Sequence, residues 1–349
     1  AAFVMAEILG VPYLTIIVAA ILPAVLFYLS VFMTVHFVAL RRGLAILPDD
    51  EMPAWANILA PRRVLPILCA LGGLGIGIWM GRSISTSAFY GIIGLLIAFL
   101  ATETGRLSIR EMAEKLFNGL EDAGKGLVII GVLLAGAQVL VSMINLTGIG
   151  VTLSSLIVSM AGDSVVLVAL IVGAVCLIMG MGLPTTAAYV LVAAVLAPAM
   201  TAVGVDPLAA HLFVFYFATI SVITPPVCVA VFVGAGIAGT NWLPAAGEAV
   251  RLGAVTYIVP FLLLLYPGML LGGGPLDILE AVAAGLVLVL AVPALLSGAQ
   301  LFGRKTVDVG IYVVVIALAI YPQPVTPFLA LAILVATHFL GRVQRRTMA

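Results

Sequence analysis

Residues Met179–Tyr189 read MGMGLPTTAAY and interrupt an apolar run at a place where a membrane helix should continue. Gly180 and Gly182 permit a turn and close approach by neighbouring chain. Pro184 ends a helical ladder, and Thr185 and Thr186 supply two hydroxyl oxygens. A helix starting near Thr186 would aim its positive dipole end and its unbonded N–H groups at the same point. Further along, Ile220–Pro226 reads ISVITPP. Pro225 and Pro226 remove two backbone donors and free carbonyls upstream, beside the Ser221 and Thr224 hydroxyls. Carbonyl and hydroxyl oxygens gathered without a carboxylate suit Na⁺, a hard monovalent cation, and helix N-termini alongside suit an anion. Backbone without helical bonds survives at membrane depth only inside protein or beside a water-filled cavity. The chain has no P-loop, HExxH, GxSxG or clustered acid or histidine set, so an enzyme reading has nothing to stand on.

The elements that position these residues follow from composition. Of 349 residues, 64% are apolar and 9% charged, with a mean hydropathy of +1.32; soluble domains carry about 25% charged residues. Such a chain uses lipid as solvent over many segments of about 20 residues. Barrel strands alternate over about 10 residues, whereas these runs are unbroken, so the fold class is an all-α polytopic membrane protein. Net charge is zero and offers no basic surface to nucleic acid. Cys69, Cys176 and Cys228 lie far apart in apolar runs and read as small core residues. His36 and His338 fall near span ends, and His211 reads as a packed histidine. Asn145 and Thr147 read as capping residues and Glu7 as interfacial. Asp163, Asp206, Asp277 and Asp308 read as turn or cap residues.

Apolar runs predict spans at 13–40, 64–80, 84–102, 127–147, 253–272, 277–297, 308–321 and 323–341. Residues 164–181 and 186–202 are expected to form a hairpin with both ends on one side, and 207–240 a single crossing broken in its middle. Under the positive-inside rule this arrangement puts every Lys and Arg except Arg82, from Arg41, Arg42 and Arg106 to Arg251, Lys305, Arg342, Arg345 and Arg346, in one compartment. Two complete crossings over 207–240 would split the basic residues almost evenly. The segment 103–125, with Ile109, Met112, Leu116, Phe117 and Leu120 at helical spacing, predicts a helix lying along the membrane surface.

An internal repeat adds a symmetry. AAFVMAEILG at the start of the chain aligns with AVFVGAGIAG at 230–239, matching Ala1, Phe3, Val4, Ala6, Ile8 and Gly10 with Ala230, Phe232, Val233, Ala235, Ile237 and Gly239. Tyr13 then falls on Trp242. The expected topology puts Gly10 outside and Gly239 inside, so the copies run in opposite directions, as in the inverted repeats of secondary transporters. SVITPPVCV precedes Ala230, and nothing precedes Ala1; the sequence reads as the C-terminal part of a longer polypeptide, lacking the start of its first repeat.

At GMGLPTTAAYVL, FATISVITPPV and GTNWLPAAGEAVRLG the chain resembles the large membrane subunit of tripartite ATP-independent periplasmic transporters, most closely the type in which small and large membrane subunits are fused. The resemblance covers residues 1 to about 272, with further spans beyond it. It implies Na⁺-driven, elevator-like import of a small organic acid across the bacterial inner membrane. A separate periplasmic binding protein, commonly of the TAXI class for fused permeases, would deliver the substrate. The resemblance carries the Na⁺ and substrate site onto Gly182, Pro184, Thr185, Thr186, Ser221, Thr224 and Pro225. The four hydroxyls at Thr185, Thr186, Ser221 and Thr224 are the expected Na⁺ ligands, with no other cofactor. The expected organisation is 1–102, the end of the first repeat and following spans; 103–126, a cytoplasmic amphipathic connector; 127–272, the second repeat, with hairpin 164–202 and broken helix 207–240; and 273–349, extra spans and a basic tail. The alternatives are a proton-coupled or exchanging transporter of another inverted-repeat family, and a membrane scaffold that transports nothing.

Overall fold

Lipid offers no partner for backbone N–H and C=O groups, so each apolar run must bond within itself. The computed structural model is accordingly helical almost throughout, with no strand among the described residues. It describes residues 1–43, 52, 54–103, 108–162, 164–299, 301–302 and 304–348. Arg106 and Asp163 lie outside the described residues, as do the side chains of Asn145, Lys305, Arg342, Arg345 and Arg346. Five described helices are long and apolar enough to cross a membrane: Tyr13–Arg42, Pro61–Trp79, the helix ending at Glu103, Thr185–Ala202 and Pro275–Ser297. The chain is an all-α polytopic membrane protein.

Two compact units are distinguished, Ala45–Ala135 and the remainder. In the smaller, Pro61–Trp79 and Ile84–Glu103 form a tight antiparallel pair. Glycine sets that closeness. A Cβ at Gly73 would lie 2.3 Å from Tyr90 O, and one at Gly94 would lie 2.1 Å from Cys69 O. At one end of the pair, Arg62 Nε donates to Glu103 Oε1 at 2.8 Å, and Lys115 stands 3.8 Å from the other carboxylate oxygen. Gly73→Ala is expected to destabilise the purified protein by about 1–3 kcal/mol through overpacking. Gly75→Ala, on the same helix but facing open space, should be neutral or slightly stabilising in the same thermal-unfolding assay.

Ser108 starts the helix Ile109–Thr147 with a capping box: its hydroxyl accepts from Glu111 N at 3.2 Å, while Glu111 Oε2 accepts from Ser108 N at 2.7 Å. The bonds from the Ser108 backbone and hydroxyl hold the Glu111 carboxyl below the usual carboxylate range. The segment expected to lie apart as a surface helix is continuous with the span after it. Gly119, Gly124 and Gly126 are weak helix formers near the junction, and at about 1 kcal/mol each they do not stop a helix.

The larger unit holds the hairpin, the broken helix and the helices after them. The hairpin is Val165–Gly180 and Thr185–Ala202, and the broken helix is Pro207–Ile220, a 3₁₀ turn Ser221–Ile223, and Val229–Ile237. Its core gathers Val168, Val172, Tyr189, Leu196, Phe213, Leu262 and Leu288. Pro275–Ser297 packs on Tyr13–Arg42, where Gly285 admits Leu26, and on the helices Lys305–Ile320 and Thr326–Met348. The run 253–272, expected as one span, is not a continuous helix but a 3₁₀ turn Ala254–Tyr257, a seven-residue helix Val259–Leu265 and a second turn Pro267–Leu270. Pro260 and Pro267 interrupt the ladder, and burial of Val255, Thr256, Val259, Leu262 and Met269 keeps this backbone inside protein, where it is tolerated. Asp206 caps its helix by accepting from Ala209 N at 3.1 Å, Asp277 accepts from Gly274 N at 2.6 Å, and Asp308 accepts from Phe302 N at 2.9 Å, as read from sequence.

The aligned segments adopt one local structure twice. Helix Ala2–Leu9 ends with Gly10 at φ 64°, with Val11 N bonded to Ala6 O at 3.1 Å and Gly10 N to Glu7 O at 3.3 Å. Helix Val229–Ile237 is followed by Gly239 at φ 62°, with Thr240 N bonded to Ala235 O at 3.0 Å and Gly239 N to Gly236 O at 3.3 Å. Both are Schellman-type closures, for which glycine removes the left-handed penalty. The Phe3 and Tyr13 rings lie 4.3 Å apart and the Phe232 and Trp242 rings 4.6 Å, at the equivalent positions.

The two motifs lie at opposite ends of Tyr13–Arg42. Gly10 precedes that helix, whereas Arg42 at its far end pairs with Glu248, on the helix Trp242–Leu252 that follows Gly239. Arg251 Nη2 donates to Leu296 O at 2.5 Å, bringing the end of Pro275–Ser297 to the same place.

Candidate functional site

The hairpin turn is built as its residues dictate. Val165–Gly180 ends at Gly180, Gly182 takes φ 75°, and Pro184 with ψ 140° stands at the N-cap of Thr185–Ala202. Pro184 therefore opens the second leg rather than closing the first, because its fixed φ and missing N–H suit a helix start. No side chain caps this helix. Its first internal bond runs from Ala188 N to Pro184 O at 2.9 Å, leaving the N–H groups of Thr185, Thr186 and Ala187 without a backbone acceptor among the described residues. Those donors and the dipole of an 18-residue helix face the turn. The backbone nitrogen of Ala1 lies 3.2 Å from Thr186 Oγ1, so helix Ala2–Leu9 starts at the hairpin tip as Val229–Ile237 starts at the second break.

The second break keeps its hydroxyls oriented. Ser221 Oγ is buried and donates to Ala218 O at 2.7 Å. Thr224 Oγ1 donates to Ile220 O at 2.8 Å and lies 2.7 Å from Tyr257 OH. Thr224 N reaches Ser221 O at 3.2 Å, and Cys228 N reaches Thr224 O at 3.3 Å. With Pro225 and Pro226 unable to donate, no donor among the described residues reaches the carbonyls of Val222 and Ile223.

The structure brings the two breaks into contact through glycine. A Cβ at Gly180 would sit 2.7 Å from Ser221 Oγ and 3.4 Å from Ala218 Cα, and one at Gly182 would sit 3.4 Å from Val227 Cγ1. Ser221 and Thr224 are thereby placed beside the hairpin tip. The hydroxyls of Thr185 and Thr186 make no hydrogen bond to either. Gly182, Pro184 and Pro226 are exposed, and Thr185, Thr186, Thr224 and Pro225 are half-buried. A cavity of about 240 Å³ near the second break has mostly apolar walls, among them Pro23, Phe27 and Ile220, with the hydroxyl-bearing Tyr28, Tyr216 and Thr219 also lining it.

Two polar residues escaped the sequence reading. Tyr257 lies 33 positions from its partner Thr224; its only signal was a phenol beside Gly253 and before Pro260 in an apolar run. Tyr189 OH bonds His211 Nδ1 at 2.8 Å, one turn beyond Thr185 and Thr186, so His211 is a satisfied packed histidine.

Residues 1–273 match the family model described as tripartite ATP-independent periplasmic transporter, DctM component. No curated protein and no solved structure matches the chain.

Proposed function

We propose, from the premise that this chain belongs to the DctM family of tripartite ATP-independent periplasmic transporters, that it couples Na⁺ entry to import of a small organic acid. The chain is a transmembrane permease component of such a transporter, whose family works with a periplasmic binding protein and a small solute. The finer reading puts it in the bacterial inner membrane, with a TAXI-class protein as the delivering partner, and treats its two halves as inverted repeats.

One observation carries the proposal. Two broken segments meet at Gly180 and Ser221, presenting N–H groups from one side and carbonyls from the other that have no backbone partner among the described residues. Carbonyl and hydroxyl oxygens replace the hydration shell of a monovalent cation without demanding a buried countercharge, and a helix N-terminus favours a carboxylate. Discontinuous helices serve both purposes in secondary transporters. We assign cation oxygens to Ser221 and Thr224, with Thr185 and Thr186 from the hairpin, and contacts to the acid around Gly182, Pro184 and Pro225.

The test is uptake by the reconstituted full-length protein with its binding protein, at fixed pH, comparing Na⁺ with K⁺. Uptake is expected only with Na⁺. Thr185→Val and Thr186→Val each keep shape but remove an oxygen; the site reading expects a Na⁺ requirement about two- to ten-fold higher, the worth of one lost polar contact. Equal uptake in K⁺ would sink Na⁺ coupling, and unchanged Na⁺ dependence in both variants would remove these hydroxyls from the site.

A further inference from the structure

We propose that Tyr257 is a positioning residue of the cation site at the second break, fixing the direction in which the Thr224 oxygen can bind. The inference rests on the Na⁺ reading above and extends it to a residue outside both breaks.

The argument is one of proton counting. A threonine hydroxyl has one proton and two acceptor lone pairs. Thr224 gives its proton to Ile220 O at 2.8 Å. The 2.7 Å contact with Tyr257 OH must then be a bond that Tyr257 donates. One lone pair of Thr224 Oγ1 accepts it, and a single lone pair remains. Because the hydroxyl is held from both sides, its remaining lone pair points in one direction instead of sweeping with rotation about the side-chain bond. A cation ligand oriented before the ion arrives loses less freedom on binding, which is the general advantage of preorganisation.

Tyr257 is itself anchored. It closes the 3₁₀ turn Ala254–Tyr257, whose Val255 and Thr256 are buried. That turn is docked on the break, since a Cβ at Gly253 would lie 2.9 Å from Ile223 Cδ1. The carbonyls of Val222 and Ile223, which immediately precede the oriented oxygen, are the ones without a donor among the described residues.

The experiment compares Na⁺ activation of uptake in the reconstituted full-length protein for wild type, Tyr257→Phe, Thr224→Val and the double variant. Tyr257→Phe keeps the ring and removes the donor. It is expected to raise the Na⁺ concentration for half-maximal uptake about three- to ten-fold, the range of one hydrogen bond, with the rate at saturating Na⁺ near wild type. In the Thr224→Val background the same change should add nothing, because the oxygen it orients is gone. Removing both partners together also avoids leaving either one unsatisfied, so the double variant remains measurable if Tyr257→Phe accumulates poorly. A lower maximal rate at unchanged half-activation would mark Tyr257 as a structural residue and overturn the proposal. So would a further shift of the double variant beyond Thr224→Val. Wild-type uptake that ignores Na⁺ would overturn the Na⁺ reading and this proposal with it, whereas Na⁺-dependent wild type with an unshifted Tyr257→Phe overturns this proposal alone.

Discussion

Gly180→Ala is expected to reduce uptake on the order of ten-fold or more while the protein still reaches the membrane. The added carbon would stand 2.7 Å from Ser221 Oγ and 3.1 Å from Ser221 Cβ. Ser221 is 1% exposed and its hydroxyl is committed to Ala218 O at 2.7 Å, so it cannot swing aside without losing that bond. The end of Val165–Gly180 must therefore move away from the second break. Overpacking of this kind costs about 1–3 kcal/mol of stability, which a membrane protein can survive. Displacement of reacting or ligating groups by about 1 Å can cost about 100-fold in an enzyme, and a site shared between two breaks is exposed to the same loss. Gly234→Ala and Gly236→Ala, which meet nothing within 4 Å, are the matched controls and should leave uptake near wild type. Wild-type transport by Gly180→Ala, with the protein quantified in the membrane, would show that contact between the breaks is not needed for function.

The second large effect is all-or-none. A cysteine at Gly10 should react with an impermeant thiol reagent from the periplasmic side of intact cells, and a cysteine at Gly239 only once the cytoplasmic face is opened. The background must first lose Cys69, Cys176 and Cys228, two of which are buried already. The expectation rests on two observations. Both glycines close the same helix end with the same bonds, and the two turns lie at opposite ends of Tyr13–Arg42, a helix of 30 residues. At the helical rise that is about 45 Å, more than the hydrocarbon thickness of a bilayer. Labelling of both positions from one side would break the inverted repeat, and the site would then have to be argued without symmetry.

Several features were legible in residue types alone. A composition this poor in charge admits only a membrane solvent, and unbroken apolar runs admit only helices there. MGMGLPTT and SVITPP announce breaks because glycine and proline act on the backbone locally, whatever surrounds them. Gly10 and Gly239, aligned in the sequence, both adopt a left-handed conformation that glycine takes without cost, and the tilted Phe3–Tyr13 and Phe232–Trp242 ring pairs fall at equivalent spacing across that turn.

Tertiary structure decided what local chemistry could not. Hydropathy reports that a segment leaves water but not whether it enters lipid or protein, since both are apolar. Hence 253–272 reads as one unbroken apolar run, whereas its prolines divide it into two turns and a short helix packed in the core. These run from the Leu296 end of Pro275–Ser297 to the Asp277 end. The meeting of Gly180 with Ser221 depends on how two helices pack, and the Thr224–Tyr257 bond joins residues 33 positions apart. A hydroxyl in a sequence can donate to any carbonyl within reach. Only the folded chain determines that Thr224 gives its proton to Ile220, receives one from Tyr257, and keeps a single lone pair free.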